Sequence, residues 1–334
     1  MDETIIEKLK RLWMDLSVKS DISFSQIKKI ILCLDFIYEK VIYKTALDDY
    51  TQYRFYAKKN CERRRFINFG MLIKIRNICN NPSNEYMFSS KPEFNKKFNT
   101  FLHRQWLDAK TASFEQFSEF IRGKDSFFFK DPSGSFGIDS GIIKLIDRPD
   151  TEKLFEELKS KKILLEEVVK QHPELSAFNA SSVNTMRVVT LIGASGEKEG
   201  DIHIMGSVFR VGRSGKNADN FHHNGIAALI DVDTGIVKTT GIDRDYKRYT
   251  VHPDSGIAIV GYKIPMWNKI IDTVSAAARV VPDVRYVGWD ITVNDQHEVV
   301  IIEGNQSAYP DILQIPDQVG KWPLFKPFLD KLIK

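Results

Sequence analysis

Asp290, Glu303 and Asn305 are oxygen donors at the ends of two short apolar runs, 286–293 and 298–303. The polar turn Asn294-Asp295-Gln296-His297 between these runs predicts an antiparallel hairpin, which brings Asp290 opposite the 303–305 end. Glu303 and Asn305 are two apart and so share one face of an extended strand. Two carboxylates and an amide oxygen on one face make a hard, all-oxygen donor set. Magnesium suits such a set when phosphate oxygens and waters complete its shell. Acidic residues at strand ends are also ordinary surface turns, so their company decides between the two readings.

Lys130 ends the aromatic run 126–130, just before Gly134-Ser135-Phe136-Gly137. A lysine there can reach over phosphates while the amides of Gly134, Ser135 and Gly137 cradle them, although a tight turn is the commoner reason for a lone glycine loop. Glu166, Glu167, Val168 and Val169 follow an apolar strand and can offer backbone groups to a purine, or simply lead into a loop. Arg187 and Arg210 stand in strand-like settings. A buried guanidinium requires an anion, either a bound phosphate or carboxylate or a structural acid. Asn220, His222 and His223 lie in a polar stretch between two strands; without a third ligand at suitable spacing the two histidines do not make a zinc site. There is no Gly-x-Ser-x-Gly elbow and no Cys/His nucleophile pattern.

The elements that must position these residues form a mixed α+β chain. Up to about residue 80 the pattern is helical: Ile5, Leu9, Leu12 and Trp13 recur at helical spacing, as do Ile27, Ile30, Ile31, Leu34, Ile37 and Val41. Ser23 with Gln26 is placed to form a capping box ahead of the second run. Asn80-Asn81-Pro82-Ser83-Asn84 ends this region. Helices are expected over 94–106 and 113–122, strands over 126–130 and 141–146, a helix over 151–161, and a strand over 163–169. Strands then dominate, at 187–192, 203–210 and 227–231, and Asp233-Thr234-Gly235 gives a hairpin-like turn. A helix is expected over 266–281, before the final hairpin.

At 334 residues the chain is long enough for about two domains. Hydrophobic content of 43% with 28% charge places it among soluble globular proteins. No apolar run approaches the ~20 residues of a membrane span, and no secretory leader pattern is present. Cys33, Cys61 and Cys79 are scattered, which predicts reduced thiols and a cytoplasmic location. The net charge of +4 permits a polyanionic ligand without requiring one. The basic cluster Lys58, Lys59, Arg63, Arg64 and Arg65 reads as a solvated helix face or as a peripheral membrane contact. Basic residues form no long stripe with interleaved aromatics, which argues against a nucleic-acid partner.

Six segments follow one another in order: 182–190 (SVNTMRVVT), 218–225 (ADNFHHNG), 252–256 (HPDSG), 264–267 (IPMW), 287–290 (VGWD) and 302–305 (IEGN). Over about 90–315 the chain thereby resembles the ATP-grasp proteins associated with sugar transfer and bacterial surface-polysaccharide biosynthesis. More distantly it is similar to the glutamate ligases that modify ribosomal proteins. The resemblance implies an ATP-grasp fold of two α+β lobes enclosing an ATP cleft, with a helical region over 1–90, a lid lobe over 91–182 and a large lobe over 183–334. It implies Lys130 as the lid lysine and Lys97, or Lys96 in the other register, as an earlier nucleotide-binding lysine. Glu166, Glu167 and Val169 would belong to the adenine hinge. Arg187, Arg210 and Asn220 would face the acceptor and the transferred phosphate. Asp290, Glu303 and Asn305 would hold Mg2+, or Mn2+ in its place. The implied activity is an ATP-dependent carboxylate–amine ligase acting on a uronic-acid-type carboxylate in capsule or O-antigen synthesis. A kinase using His222 or His223 as base, and a non-catalytic nucleotide- or glycan-binding module, are the alternatives. Lys130 is separated from Pro132 by Asp131, Phe136 replaces a smaller residue, and His223-Asn224 replaces a basic-glycine pair. These departures bear on the lid loop and acceptor recognition. The oligomeric state is not legible from the sequence.

Overall fold

Ser25, Asn68 and Ser113 each accept a backbone N–H at the start of a helix, and so define where three helices begin. The computed structural model describes residues 3–18, 22–131, 140–194, 201–213, 215, 219–221 and 224–333. Its first layer is helical: α1 (Ile5–Val18), α2 (Gln26–Tyr43), α3 (Leu47–Gln52), α4 (Asn60–Arg63) and α5 (Phe69–Cys79). The cap of α2 is Ser25, whose oxygen accepts from the Lys28 N–H, not the expected Ser23. Asn80 ends α5, within the break expected there.

Two short helices, α6 (Tyr86–Ser89) and α7 (Lys91–Lys97), lead into a small sheet built from β1 (Trp106–Asp108), β2 (Ser126–Lys130), β3 (Ser140–Lys144) and β4 (Leu164–Glu166). The strands lie in the order β1-β4-β2-β3, all antiparallel. The helix expected over 94–106 stops at Lys97. A 3-10 turn at Asn99–Phe101 and a left-handed His103 (φ 44°) turn the chain, and Trp106 opens β1 instead. Helices α8 (Phe114–Ile121) and α9 (Thr151–Ser160) cover one side of this sheet through Phe117, Phe120, Phe155 and Leu158.

After α10 (Pro173–Ser176) come β5 (Thr185–Ile192), β6 (Ile202–Val211), β7 (Ile226–Ile230), β8 (Gly241–Ile242) and β9 (Arg248–Tyr249). The chain continues with α11 (Trp267–Ala278), β10 (Tyr286–Val293), β11 (Val299–Asn305), α12 (Asp311–Gln314) and α13 (Trp322–Leu332). These strands make a seven-stranded antiparallel sheet in the order β11-β10-β5-β6-β7-β8-β9. Every residue of β5, β7 and β10 is buried because both faces of the sheet are covered. Val188, Trp289 and Ile291 face Phe94, Trp267 and Val274 of α7 and α11. The alternate residues Val189, Leu191 and Tyr286 face Leu12, Phe36 and Ile75 of the amino-terminal helices, together with Leu313 and Phe325. The first 80 residues thus share one core with the large sheet.

Helix α2 contradicts the simplest reading of its apolar pattern. Leu32 and Phe36 carry the packing, whereas Ile27, Ile30, Ile31, Leu34 and Val41, which alone would predict the buried stripe, are 50–73% exposed. Among the described residues no helix is long and apolar enough to cross a membrane.

Candidate active-site cleft

The register of β6, β5, β10 and β11 sets a polar band across four adjacent strands. Arg187 pairs with Asp290, and Asp290 pairs in turn with Glu303. Cross-strand partners project to the same face, so the three side chains converge although they are far apart in sequence. The Arg187 guanidinium grips Asp290 with two parallel hydrogen bonds, one of them Nη2 to Oδ2 at 2.9 Å. Arg210 Nη2 donates to the same Oδ2 at 3.0 Å. Arg210 also donates to Thr185 Oγ1 (2.8 and 3.0 Å) and lies 3.4 Å from Asp219, a buried carboxylate that also accepts the Thr185 N–H and hydroxyl. Forked donors of this kind match carboxylates in two-point geometry.

Gly288, two residues along β10 from Asp290, is required by close approach. A Cβ there would lie 2.4 Å from Ala308 Cβ and 3.1 Å from Arg187 Cδ. Gly288→Ala is therefore expected to cost about 1–3 kcal/mol through overpacking, with a matching fall in the urea midpoint and a displaced Arg187.

Burial raises the Asp290 pKa, but Arg187 and Arg210 outweigh it and hold this carboxyl well below the usual range. Glu303 behaves oppositely: burial and then the negative Asp290, with which it shares a hydrogen bond, push its pKa up. Glu303 nonetheless remains open to solvent, as fits a group on a cleft wall. Asn305, whose oxygen accepts the Ser307 N–H at 2.8 Å, continues the same face. An anionic pair with strained ionisation, beside an amide oxygen, is a donor set that suits a hard divalent cation. Among the described residues no three His, Cys, Asp or Glu side chains form a metal cluster.

The small sheet supplies cations to this wall. Lys130 Nζ lies 2.8 Å from Glu166 Oε2, which also accepts from Arg104 Nε at 3.0 Å, while Asn95 donates to Oε1 at 2.9 Å. Burial raises the Glu166 pKa, yet Arg104 and Lys130 reverse this and keep it well below the ordinary glutamate range. The Glu166 side chain thus anchors Lys130, a role its place at the end of β4 does not reveal. Glu167 N donates to Gln105 O at 2.8 Å. The N–H and C=O groups of Val168 and Val169 have no hydrogen-bond partner among the described residues.

Lys96 and Lys97 lie on the exposed side of α7, and Lys96 pairs with Glu93. Helical periodicity turns the opposite side inward, with Phe94 and Asn95. Lys91, on that side, reaches Asp131 O at 2.6 Å, and its pKa is lowered by burial and by Lys130, against a raising influence of Glu303. The structure thus brings Lys91 to the cleft in place of Lys96 or Lys97.

Asn220 is half-buried at the start of a loop that closes tightly. Its carbonyl accepts the Gly225 N–H at 3.0 Å, and a Cβ on Gly225 would meet Asp219 O at 2.1 Å. Arg213 braces this loop through Asn224 O (2.6 Å), Tyr249 (3.0 Å) and Asp243 (3.0 Å). Gly134, Ser135 and Gly137 of the expected phosphate loop, and His222, lie outside the described residues. Sequence reasoning missed Lys91, Arg104, Arg213 and Asp219. Only Asp219 carried a visible signal, standing inside one of the ordered motifs. A surface cavity of about 550 Å³, lined by Arg104, Gln105, Trp106, Gln116 and Lys124, sits at the β1 edge and includes none of the oxygen triad.

A family model described as sugar-transfer associated ATP-grasp matches residues 136–327. The match takes in Arg187, Arg210, Asn220, Asp290, Glu303 and Asn305, but begins after Lys91 and Lys130. Among solved structures the chain is similar to the ATP-grasp ligase PsnB complexed with a minimal precursor (14% identity, TM-score 0.47, 78% of this chain and 69% of that one). It is also similar to D-alanyl-alanine synthetase A from Vibrio cholerae O1 biovar eltor (12% identity, TM-score 0.45, 76% and 68%). A third similarity is to the ADP complex of purK, N5-carboxyaminoimidazole ribonucleotide synthetase (10% identity, TM-score 0.44), where it spans 74% of this chain and about half, 53%, of that one. No curated protein matches the sequence.

Proposed function

Because the chain belongs to the sugar-transfer associated ATP-grasp family, we propose that it is an ATP- and magnesium-dependent ligase joining a carboxylate to an amine through an acyl phosphate. The observation that carries this reading is the opposition of Asp290 and Glu303 across β10 and β11, with the lysines of the small sheet and α7 acting on Glu303. Asp290, Glu303 and Asn305 would hold the ion, and Mn2+ fits the same oxygens. When bound, the ion neutralises charge on the β- and γ-phosphates.

Lys130 and Lys91 add positive charge from the other wall, and the backbone groups of Val168 and Val169, without partners among the described residues, offer adenine an edge. Arg187 and Arg210 each keep a terminal Nη1 with no partner among the described residues, while Asp290 fixes their orientation. These donors suit the incoming carboxylate and the oxyanion formed later. In the chemistry proposed, a carboxylate oxygen attacks the γ-phosphorus, the bridging P–O bond breaks, and ADP leaves. The amine nitrogen then attacks the acyl carbon, the C–O bond to phosphate breaks, and phosphate and a proton depart.

The family description ties its members to sugar transfer. We therefore assign the acceptor as a uronic-acid-type sugar carboxylate and the second substrate as an amino acid or small amine, in surface-polysaccharide synthesis. Asn220, on the braced loop, would face that acceptor.

The kinase alternative needs a base beside a hydroxyl. Its candidates, His222 and His223, lie outside the described residues. The test is ADP release from purified protein with paired carboxylates and amines. Release that requires both, with amide product by mass spectrometry, is the expected result. Release with a hydroxyl acceptor alone and a stable phosphoester would overturn ligation.

A further inference from the structure

Helix α2 has two apolar faces, and the fold uses one. Leu32 and Phe36 are buried against the amino-terminal core. On the opposite side Ile27, Ile31, Leu34, Tyr38 and Val41 alternate at spacings of four and three and are 50–73% exposed. Ile30 and Ile42, at 54% and 56%, flank that row. At 100° per residue all of these fall within a sector about 120° wide that contains no charged residue. The acids of this helix lie elsewhere on its circumference: Asp35 and Glu39 are held by Arg63, and Glu39 also by Arg64.

An uncharged, largely apolar sector of this extent is exceptional on an exposed helix, which ordinarily turns polar residues outward. Its four-three spacing and its β-branched residues around a central Leu34 are those of a helix seam that packs against another helix. Taken together the exposed side chains offer roughly 700 Å² of apolar surface, so two such faces would bury about 1,400 Å², within the ~1,200–2,000 Å² of stable specific interfaces.

We propose that this face is a self-association surface, on which a second copy of the chain seats its own α2 about a two-fold axis. The contact is isologous, each copy supplying the same row of residues. None of the cleft residues lies on α2, so association leaves the ATP site free.

The test is sedimentation of the full chain over about 1–100 µM. The native protein is expected to be a dimer. Ile27→Glu, Leu34→Glu and Val41→Glu are each expected to weaken the dimer at least ~100-fold, with circular dichroism and ATP turnover unchanged. Each of the three side chains is more than 60% exposed, so folding does not depend on any one of them. A native protein that stays monomeric over this range would overturn the proposal. So would a monomer that instead co-floats with anionic lipid vesicles, or a dimer that survives all three substitutions.

Discussion

Replacing Glu303 with glutamine is expected to abolish magnesium-dependent ATP turnover while making the folded protein slightly more stable. The carboxyl of Glu303 faces Asp290 across β10 and β11, and its pKa is raised by burial and by that negative neighbour. A raised carboxyl means that the folded protein holds a proton the unfolded chain releases. Stability is therefore lost as pH rises through the folded pKa. Glutamine removes this penalty. Because Glu303 is open to solvent, screening limits the gain to about 0.5–1 kcal/mol. The advantage of the variant should vanish below the unfolded carboxyl range and be complete above the folded pKa, as read from melting curves at several pH values. Adding magnesium and a non-hydrolysable ATP analogue should reverse the order, stabilising the native protein and not the variant. Loss of a metal ligand should reduce kcat/KM by about 10³-fold or more. Turnover that survives in Glu303→Gln would remove Glu303 from the metal set. A group that destabilises the apoprotein yet is needed for turnover is the signature of a site shaped for its ligand.

Glu166→Gln should act in the opposite direction on stability. Glu166 is 3% exposed and is the shared partner of Arg104 and Lys130, so the substitution leaves two cations in a poorly solvated setting. Breaking a buried pair in this way typically costs about 3–5 kcal/mol. The folded pKa of Glu166 is depressed, so its contribution is present above the unfolded glutamate pKa of about 4.3 and is lost as pH falls through the folded value. The native protein should accordingly lose stability on acidification, and the variant should show a shallower loss because one of the responsible groups is gone. Lys130 also loses its tether, so the KM for ATP should rise by about tenfold or more, measured at saturating magnesium. A variant as stable as the native chain at neutral pH would mean that Glu166 is not the anchor of this cluster.

These two glutamates also mark what the amino-acid order does and does not disclose. Glu303 was legible because its meaning is local. Alternation, a short polar turn and a two-residue offset from Asn305 are enough to place it on one face opposite Asp290. The strand segments around Lys130 and Arg187 were legible for the same reason, since runs of β-branched and aromatic residues bounded by turns admit few other conformations. Glu166 was not. Its partners Asn95, Arg104 and Lys130 come from three separate segments, and nothing in a single strand indicates which side chains will close around it. Lys91 was missed because choosing among Lys91, Lys96 and Lys97 depends on the phase of a helix seven residues long, fixed here by the burial of Phe94 and Asn95. Helix α2 is the sharpest case. A periodic apolar row shows that a face is made to be covered, and leaves open whether the cover is the same chain.

Arg104 links the small sheet to the large one. Its Nε holds Glu166 on β4, while Nη1 and Nη2 donate to the carbonyls of Ile301 (2.8 Å) and Ile302 (3.3 Å) on β11, immediately before Glu303. Mechanically this makes the guanidinium a fulcrum. In the order β1-β4-β2-β3 the outer edge at β3 is the long arm of the lever, and Glu166 lies beside the pivot. A rotation of the small sheet about this point would displace β3 more than Lys130, which is tied to Glu166.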